Sequence, residues 1–275
     1  MLSDRYTAAP QLTVIVPAWN EANRIADCLE QLEESLGHLH PEIIVVDDGS
    51  RDATAEVAQH WIDTHLACDA HVLVRPHRGK GQAVYAGVRR SSGVDVAFID
   101  ADLDIPAEEI LHLLRERTAA QAPVVVGSKR QLSWRELPGP PLRRTMSITF
   151  SAVVTHLFDL PVRDTQTGIK LFPGPWLRAM ADQARVPGFL FDLELLIAAA
   201  AQGMRIIEVP VRVTMRRDAN RIGVRHVALC ALELVELMVA PPREPVSVAH
   251  RPLATAHSAH HKGGSSMHHA HGLRS

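Results

Sequence analysis

The chain is poor in features that would commit it early to a class. Three cysteines, Cys28, Cys68 and Cys230, lie far apart with no Cys-x-x-Cys, so neither a disulfide framework nor a zinc knuckle is indicated and a reducing compartment fits best. A formal charge of −2 supplies no global field for nucleic acid; anion binding must come from local clusters of Arg and Lys. No run of about 18 apolar residues offers a bilayer span, and Met1-Leu2-Ser3-Asp4-Arg5 lacks the basic-then-apolar order of a leader. The expectation is a cytoplasmic protein. Gly79-Lys80-Gly81 is not a Walker loop, because no Ser or Thr follows the lysine and the first glycine is missing; Val84 stands where a dinucleotide fingerprint needs its third glycine. An ATPase and a simple dehydrogenase are thereby demoted.

What is present is a regular alternation. Between Leu12 and Phe98, β-rich runs alternate with helical patterns, the signature of βαβ units on a parallel sheet. Strands are expected at Thr13–Val16, Ile43–Val46, His71–Val74 and Val94–Ile99, with helices over about 21–36, 52–66 and up to Arg90 between them. Further on, helices are expected at about 108–117, 142–158, 191–203 and 222–239. Strands are expected at Pro123–Gly127, at Ile169–Phe172 and over Arg205–Val213, where Pro210 marks an edge or bulge. The fold class is therefore α/β, one domain over residues 11–240 after a ten-residue tail. Beyond Pro241-Pro242 the composition turns to Ala, Ser, Gly, Pro and His, and residues 241–275 are expected to be a disordered tail. Its histidines, His257, His260, His261, His268, His269 and His271, suit loose metal binding less well than simple disorder.

Parallel strands put their C-terminal loops along one sheet edge. Residues 17–21, 47–50, 75–81 and 100–104 are expected to share a crevice. Asp100-Ala101-Asp102 ends the fourth strand with two carboxylates one residue apart, an oxygen set suited to a hard divalent cation that also takes substrate phosphates. Alone, such a pair is more often a solvated turn. Lys80 sits at a helix start, a fair place for a diphosphate and an equally ordinary place for a solvated lysine. Asp47 and Asp48 can meet a base or ribose, or can fix the turn before Gly49 and cap the next helix. Asp164-Thr165-Gln166-Thr167-Gly168 reads by default as a turn, and Asp192 and Glu194 as helix caps or a general base.

In order, Ile15-Val16-Pro17-Ala18-Trp19-Asn20-Glu21, Val46-Asp47-Asp48-Gly49-Ser50, Arg78-Gly79-Lys80-Gly81-Gln82-Ala83, Asp100-Ala101-Asp102, Asp164 to Phe172 and Phe191-Asp192-Leu193-Glu194 resemble the inverting family-two glycosyltransferases of GT-A fold. The resemblance covers about Leu12 to Val239 and is closest to the polyprenyl-phosphate branch, the dolichyl-phosphate glucosyltransferases and mannose synthases. It implies a mostly parallel central sheet with helices on both faces. Pro17, Trp19, Glu21 and one of Asp47 and Asp48 would hold the nucleoside of a GDP- or UDP-hexose. Asp100, Ala101 and Asp102 would meet ribose, diphosphate and Mg2+ or Mn2+, Asp100 and Asp102 as metal ligands; Lys80 would lie by the diphosphate. Lys129, Arg130, Arg143 and Arg144 would surround the acceptor phosphate. Asp104 stands where mannose synthases commonly carry Gln, which leaves sugar and nucleotide open.

Two acceptor classes follow. A polyprenyl phosphate is mostly dianionic at pH 7, its second pKa lying near 6, and needs no general base. The metal, held by Asp100 and the catalytic candidate Asp102, and Lys80 would then neutralise the charge growing on the leaving group. A sugar or small-molecule hydroxyl needs a base within reach, and Asp192 or Glu194 is the candidate. A nucleotide-binding module without turnover and a nucleotidyltransferase are the remaining readings. A lipid acceptor implies peripheral contact at the cytoplasmic membrane face, through the last amphipathic helix or a membrane-protein partner.

Overall fold

A computed structural model describes residues 10–65, 69–129, 141–183, 186, 188, 190–214 and 224–239. The expected tail over 241–275 and Arg130 lie outside the described residues. The first half is a run of βα units: β1 (Leu12–Ala18), α1 (Ile25–Leu36), β2 (Glu42–Asp47), α2 (Thr54–Thr64), β3 (Asp69–Val74), α3 (Lys80–Arg90) and β4 (Asp95–Ile99). Then come α4 (Glu109–Ala120), β5 (Val124–Ser128), α5 (Pro141–Leu157), β6 (Ile169–Pro173), α6 (Gly174–Ala181), α7 (Phe191–Ala201), β7 (Ile206–Pro210) and α8 (Val224–Val239). Of these, α6 was not expected; Pro175 near its start and Trp176, Leu177 and Met180 on its buried face define it.

The seven strands lie in the order β3-β2-β1-β4-β6-β5-β7. Neighbours pair in parallel except at β6, which runs antiparallel between β4 and β5. The continuous apolar runs of β1, β2 and β4 follow from burial on both faces. Along β1 the side chains alternate between two cores. Val14 and Val16 pack with Ile25, Leu29 and Leu32 of α1, Trp61 of α2 and Leu113 of α4. Ile15 packs with Val84 and Tyr85 of α3, Trp176 of α6 and Leu196 of α7. Pro210 closes β7, an edge strand, where the lack of an amide hydrogen costs no ladder bond.

The antiparallel setting of β6 matters for the site. Its first residue, Ile169, pairs with Ile99, the last residue of β4, so the loop entering β6 arrives where β4 releases its chain.

Candidate active site

The exits of β1 to β4 are joined by hydrogen bonds from backbone amides to side-chain oxygens. Asp47, at the end of β2, accepts the Ser50 amide at 3.2 Å and the Ser50 hydroxyl, while Ser50 Oγ accepts the Asn20 amide at 2.9 Å. Asn20 Oδ1 in turn accepts the Arg51 amide at 2.8 Å, and the Thr54 hydroxyl accepts the Glu21 amide at 2.9 Å. Asp48 accepts the amides of Arg78 and Gly79, each at 2.9 Å, and its carboxylate lies 2.8 Å from His77 Nδ1. Of the structural duties weighed for this pair, Asp47 fixes the turn, whereas neither caps the next helix: Asp52 accepts the amide of Thr54 at the start of α2, and Asp48 instead holds the loop entering α3. The turn closes on Gly49, at φ +69, where a side-chain carbon would stand 2.6 Å from the His77 nitrogen. The Trp19 ring, 45% exposed, stacks on His77 with centroids 4.8 Å apart.

Lys80 is the first residue of α3, and its Nζ lies 2.5 Å from Asp100 Oδ1. Burial opposes its charge, but Asp100, with Asp192 and Asp102 behind it, holds the ammonium above the usual lysine range. Ala101 and Asp102 are buried, and Asp102 Oδ1 accepts the Asp104 amide at 3.1 Å. Leu103, buried, sits at φ 51, a conformation a leucine rarely adopts. That turn is held by Thr214, whose amide donates to the Asp104 carbonyl and whose hydroxyl donates to the Leu103 carbonyl, each at 2.9 Å. No motif singled out Thr214, because its role rests on contact across the sequence. Burial, together with the charges of Asp102, Asp100 and Glu21, pushes the thiol of Cys28 up, so this cysteine beneath the carboxylates stays protonated.

The second half closes the crevice. The Asp164 carboxylate accepts the Lys129 amide at 2.9 Å and the Gln166 amide at 3.3 Å. Asp192, in the first turn of α7, takes Lys170 Nζ at 2.8 Å on one oxygen, and the Leu193 amide at 2.9 Å with Gln166 Nε2 at 3.4 Å on the other. Glu194, buried, accepts the Tyr85 hydroxyl at 3.0 Å and the Val186 amide at 3.1 Å. Arg143 and Arg144 lie in the first turn of α5, where the backbone alone is described. The structure therefore brings together Trp19, Glu21, Asp47, Asp48, Lys80, Asp100, Ala101 and Asp102, with Pro17 at the end of β1 beside them.

A separate group, Glu42, Asp69 and His71, gathers ligand atoms within 4.8 Å of one another. It stands at the opposite sheet edge, at the starts of β2 and β3, where Glu42 accepts the Thr13 hydroxyl and the Ser92 amide. Those bonds account for Glu42 as structural, and Asp69 and His71 pair with each other at 3.1 Å.

The strand order and the stitched carboxylate edge define a nucleotide-sugar transferase architecture of GT-A type. Residues 13–179 match the family description "Glycosyl transferase family 2". The chain is 31% identical over 243 residues to dolichyl-phosphate beta-glucosyltransferase ALG5C of Trichomonas vaginalis, covering 82% of this chain and 70% of that one. It is 34% identical to the dolichyl-phosphate beta-glucosyltransferase of Drosophila melanogaster, covering 74% and 67%. Among solved structures, the mannosyltransferase PcManGT of Pyrobaculum calidifontis, in complex with GDP-Man and Mn2+, superposes with a TM-score of 0.60 at 20% identity, covering 87% of this chain and 67% of that one. Glucosyl-3-phosphoglycerate synthase of Mycobacterium tuberculosis, with Mn2+, UDP and phosphoglyceric acid, gives 0.61 at 20% identity, covering 86% and 80%. The chain belongs to glycosyl transferase family 2 and is a glycosyltransferase.

Proposed function

We propose that this enzyme moves a hexose, glucose by the names its relatives carry, from a nucleotide sugar to a polyprenyl phosphate of the dolichyl type. One observation carries the choice of acceptor. Both carboxylates weighed as general bases are committed inside the fold, Asp192 to Lys170 and two nitrogen donors, Glu194 to Tyr85 and the Val186 amide. A hydroxyl acceptor needs a base with a lone pair turned to its proton. A phosphate dianion does not: its oxygen forms the new bond to the anomeric carbon, and the bond to the nucleoside diphosphate breaks with its electron pair leaving on the diphosphate.

In this reading the exposed Trp19 face and the stitched turns at Pro17, Glu21, Asp47 and Asp48 receive the nucleoside. Asp100 and Asp102 are the residues that would hold Mg2+ or Mn2+. Their oxygens are the hard donors such ions take, and at Gly168 the missing side chain leaves the Asp100 carboxylate a cradle that a Cβ would fill. Bound there, a divalent ion supplies positive charge for the departing diphosphate. Lys80, kept protonated beside Asp100, adds a fixed positive charge at the start of α3. Lys129, with Arg130, Arg143 and Arg144, would draw the acceptor phosphate to an anionic donor.

No helix among the described residues is long and apolar enough to cross a membrane. On α8, however, Leu232, Val235, Met238 and Val239 are exposed. That helix borders the crevice: Glu233 accepts the Leu190 amide, and the Gly188 carbonyl accepts the Gly81 amide beside Lys80. Its apolar face suits peripheral contact with the membrane carrying the acceptor.

The test is nucleoside diphosphate release from UDP-glucose and GDP-mannose with Mn2+, with and without dolichyl phosphate. Release that requires the lipid phosphate is expected. Turnover on a sugar hydroxyl with none on the lipid phosphate would overturn the acceptor assignment.

A further inference from the structure

We infer that Gly168 and Lys170 are positioning residues for Asp100, acting through the loop that enters β6; this rests on the reading of Asp100 as a metal-holding carboxylate. Because β6 is antiparallel to β4 and Ile169 pairs with Ile99, Gly168 comes opposite Asp100. The approach is close enough to exclude any side chain: a Cβ on Gly168 would lie 2.2 Å from Asp100 Oδ2 and 2.8 Å from its Cγ. The other oxygen of Asp100 is held by Lys80. Asp100 is thus gripped between an ammonium and a backbone wall.

The wall is fixed to three elements, β7, β5 and α7. Glu208 of β7 accepts the amides of Arg163 and Asp164, both at 3.0 Å, and Asp164 accepts the Lys129 amide at the exit of β5. Gln166 reaches Asp192 with its side-chain amide. Lys170, fully buried, donates to the Thr167 carbonyl at 2.7 Å and to Asp192 at 2.8 Å, so one ammonium ties the last turn of the loop to the start of α7. A lysine wholly removed from water contributes little net stability even when paired, since desolvation offsets the attraction. The loop also contains two buried hydroxyls, Thr165 Oγ1 and Thr167 Oγ1, without hydrogen-bond partners among the described residues. Such groups cost stability, and here they accompany a backbone path that ends against the carboxylate. Fixed geometry at Asp100 accounts for both features.

The experiment measures Mn2+ affinity of the purified full chain from the electron paramagnetic resonance signal of free Mn2+, well below the melting temperature of each variant. Three variants are compared with wild type: Gly168→Ala, the charge-balanced double Lys170→Met/Asp192→Asn, and Asp100→Ala. Melting temperatures are read alongside, so that a role in stability alone would lower melting and leave Mn2+ affinity unchanged. Gly168→Ala and the double variant are expected to weaken Mn2+ about 10- to 100-fold, the range for groups that orient a metal ligand, while Asp100→Ala abolishes binding. If Asp100→Ala abolishes binding but the other two bind as wild type, the positioning role falls and the metal assignment stands. If Asp100→Ala itself binds Mn2+ as wild type, the metal assignment falls and this inference with it.

Discussion

From β1 to β4 the crevice is sewn together by backbone amides resting on side-chain oxygens, Ser50 on Asp47, Gly79 on Asp48, Glu21 on Thr54. From β5 onward it is held largely by carboxylates and a charge removed from water, Asp164 under Lys129 and Lys170 against Asp192. The first arrangement ties one strand exit to the next, Gly79 to Asp48 and Glu21 to Thr54, so that the turns form a continuous rim around the crevice. The second fixes a wall that substrate need not touch. On the proposed reading, the donor is met by the first half, and the second half sets where the metal-holding carboxylates stand.

The largest effect that bears on this contrast is expected at Asp102. Asp102→Ala should lower transfer by about 10²–10³-fold, the scale for losing charge stabilisation at the leaving group, here that of the metal ion Asp102 would hold, with melting little changed; lipid-linked product formation checks it. Residual activity within tenfold of wild type would break the division of labour just described. Next comes Asp192→Asn, which leaves Lys170 buried without its counter-charge and should destabilise the fold by about 3–5 kcal/mol in urea titrations. Adding Lys170→Met should recover most of that loss. At saturating Mn2+ this double variant should keep transfer to a polyprenyl phosphate within about tenfold of wild type, whereas a base at Asp192 would cost 10²–10⁴.

A pH experiment sharpens the comparison from outside the crevice. Asp95, at the start of β4, is paired with Arg117 of α4, yet burial, outweighing that arginine, pushes its carboxyl up to about 6. In the unfolded chain an aspartate titrates near 4. Between roughly pH 4 and 6 the folded chain therefore holds a proton that the unfolded chain has released. The stability this group contributes is full below about pH 4 and is lost as pH rises through 6, by on the order of 2–3 kcal/mol. Relative to Asp95→Asn, wild type should gain about that much when urea melts are moved from pH 7 to pH 4. The smallest effect is expected at Trp19, whose half-exposed ring stacks on His77 and is proposed to receive the nucleoside. Trp19→Ala should raise the KM for the sugar nucleotide about tenfold, as for loss of one stacking platform, with kcat nearly unchanged.

The first half was legible because its physics is periodic. Apolar runs at Ile43–Val46 and Val94–Ile99, each ending in Asp, announce buried parallel strands whose loops must share an edge, and Pro210 marked an edge strand correctly. The second half hid more. Nothing local in Ile169–Pro173 says that the strand runs backwards between β4 and β5, since pairing direction is decided by partners distant in sequence. For the same reason Lys170 read as one residue of an apolar strand, and Thr214 as nothing in particular. Asp192 read as a cap or base; its partner Lys170 became visible only when β6 and α7 were placed side by side.

The reversed strand also has a consequence for biosynthesis. When β1 to β4 have emerged from the ribosome, the Asp100–Asp102 corner ends a sheet whose flank on the β4 side is still open, and the segment that seals that flank has yet to be made. A nascent chain paused there presents an unpaired strand to its neighbours. The interval before Gly168 arrives is therefore where chaperone attachment to this polypeptide is expected to concentrate.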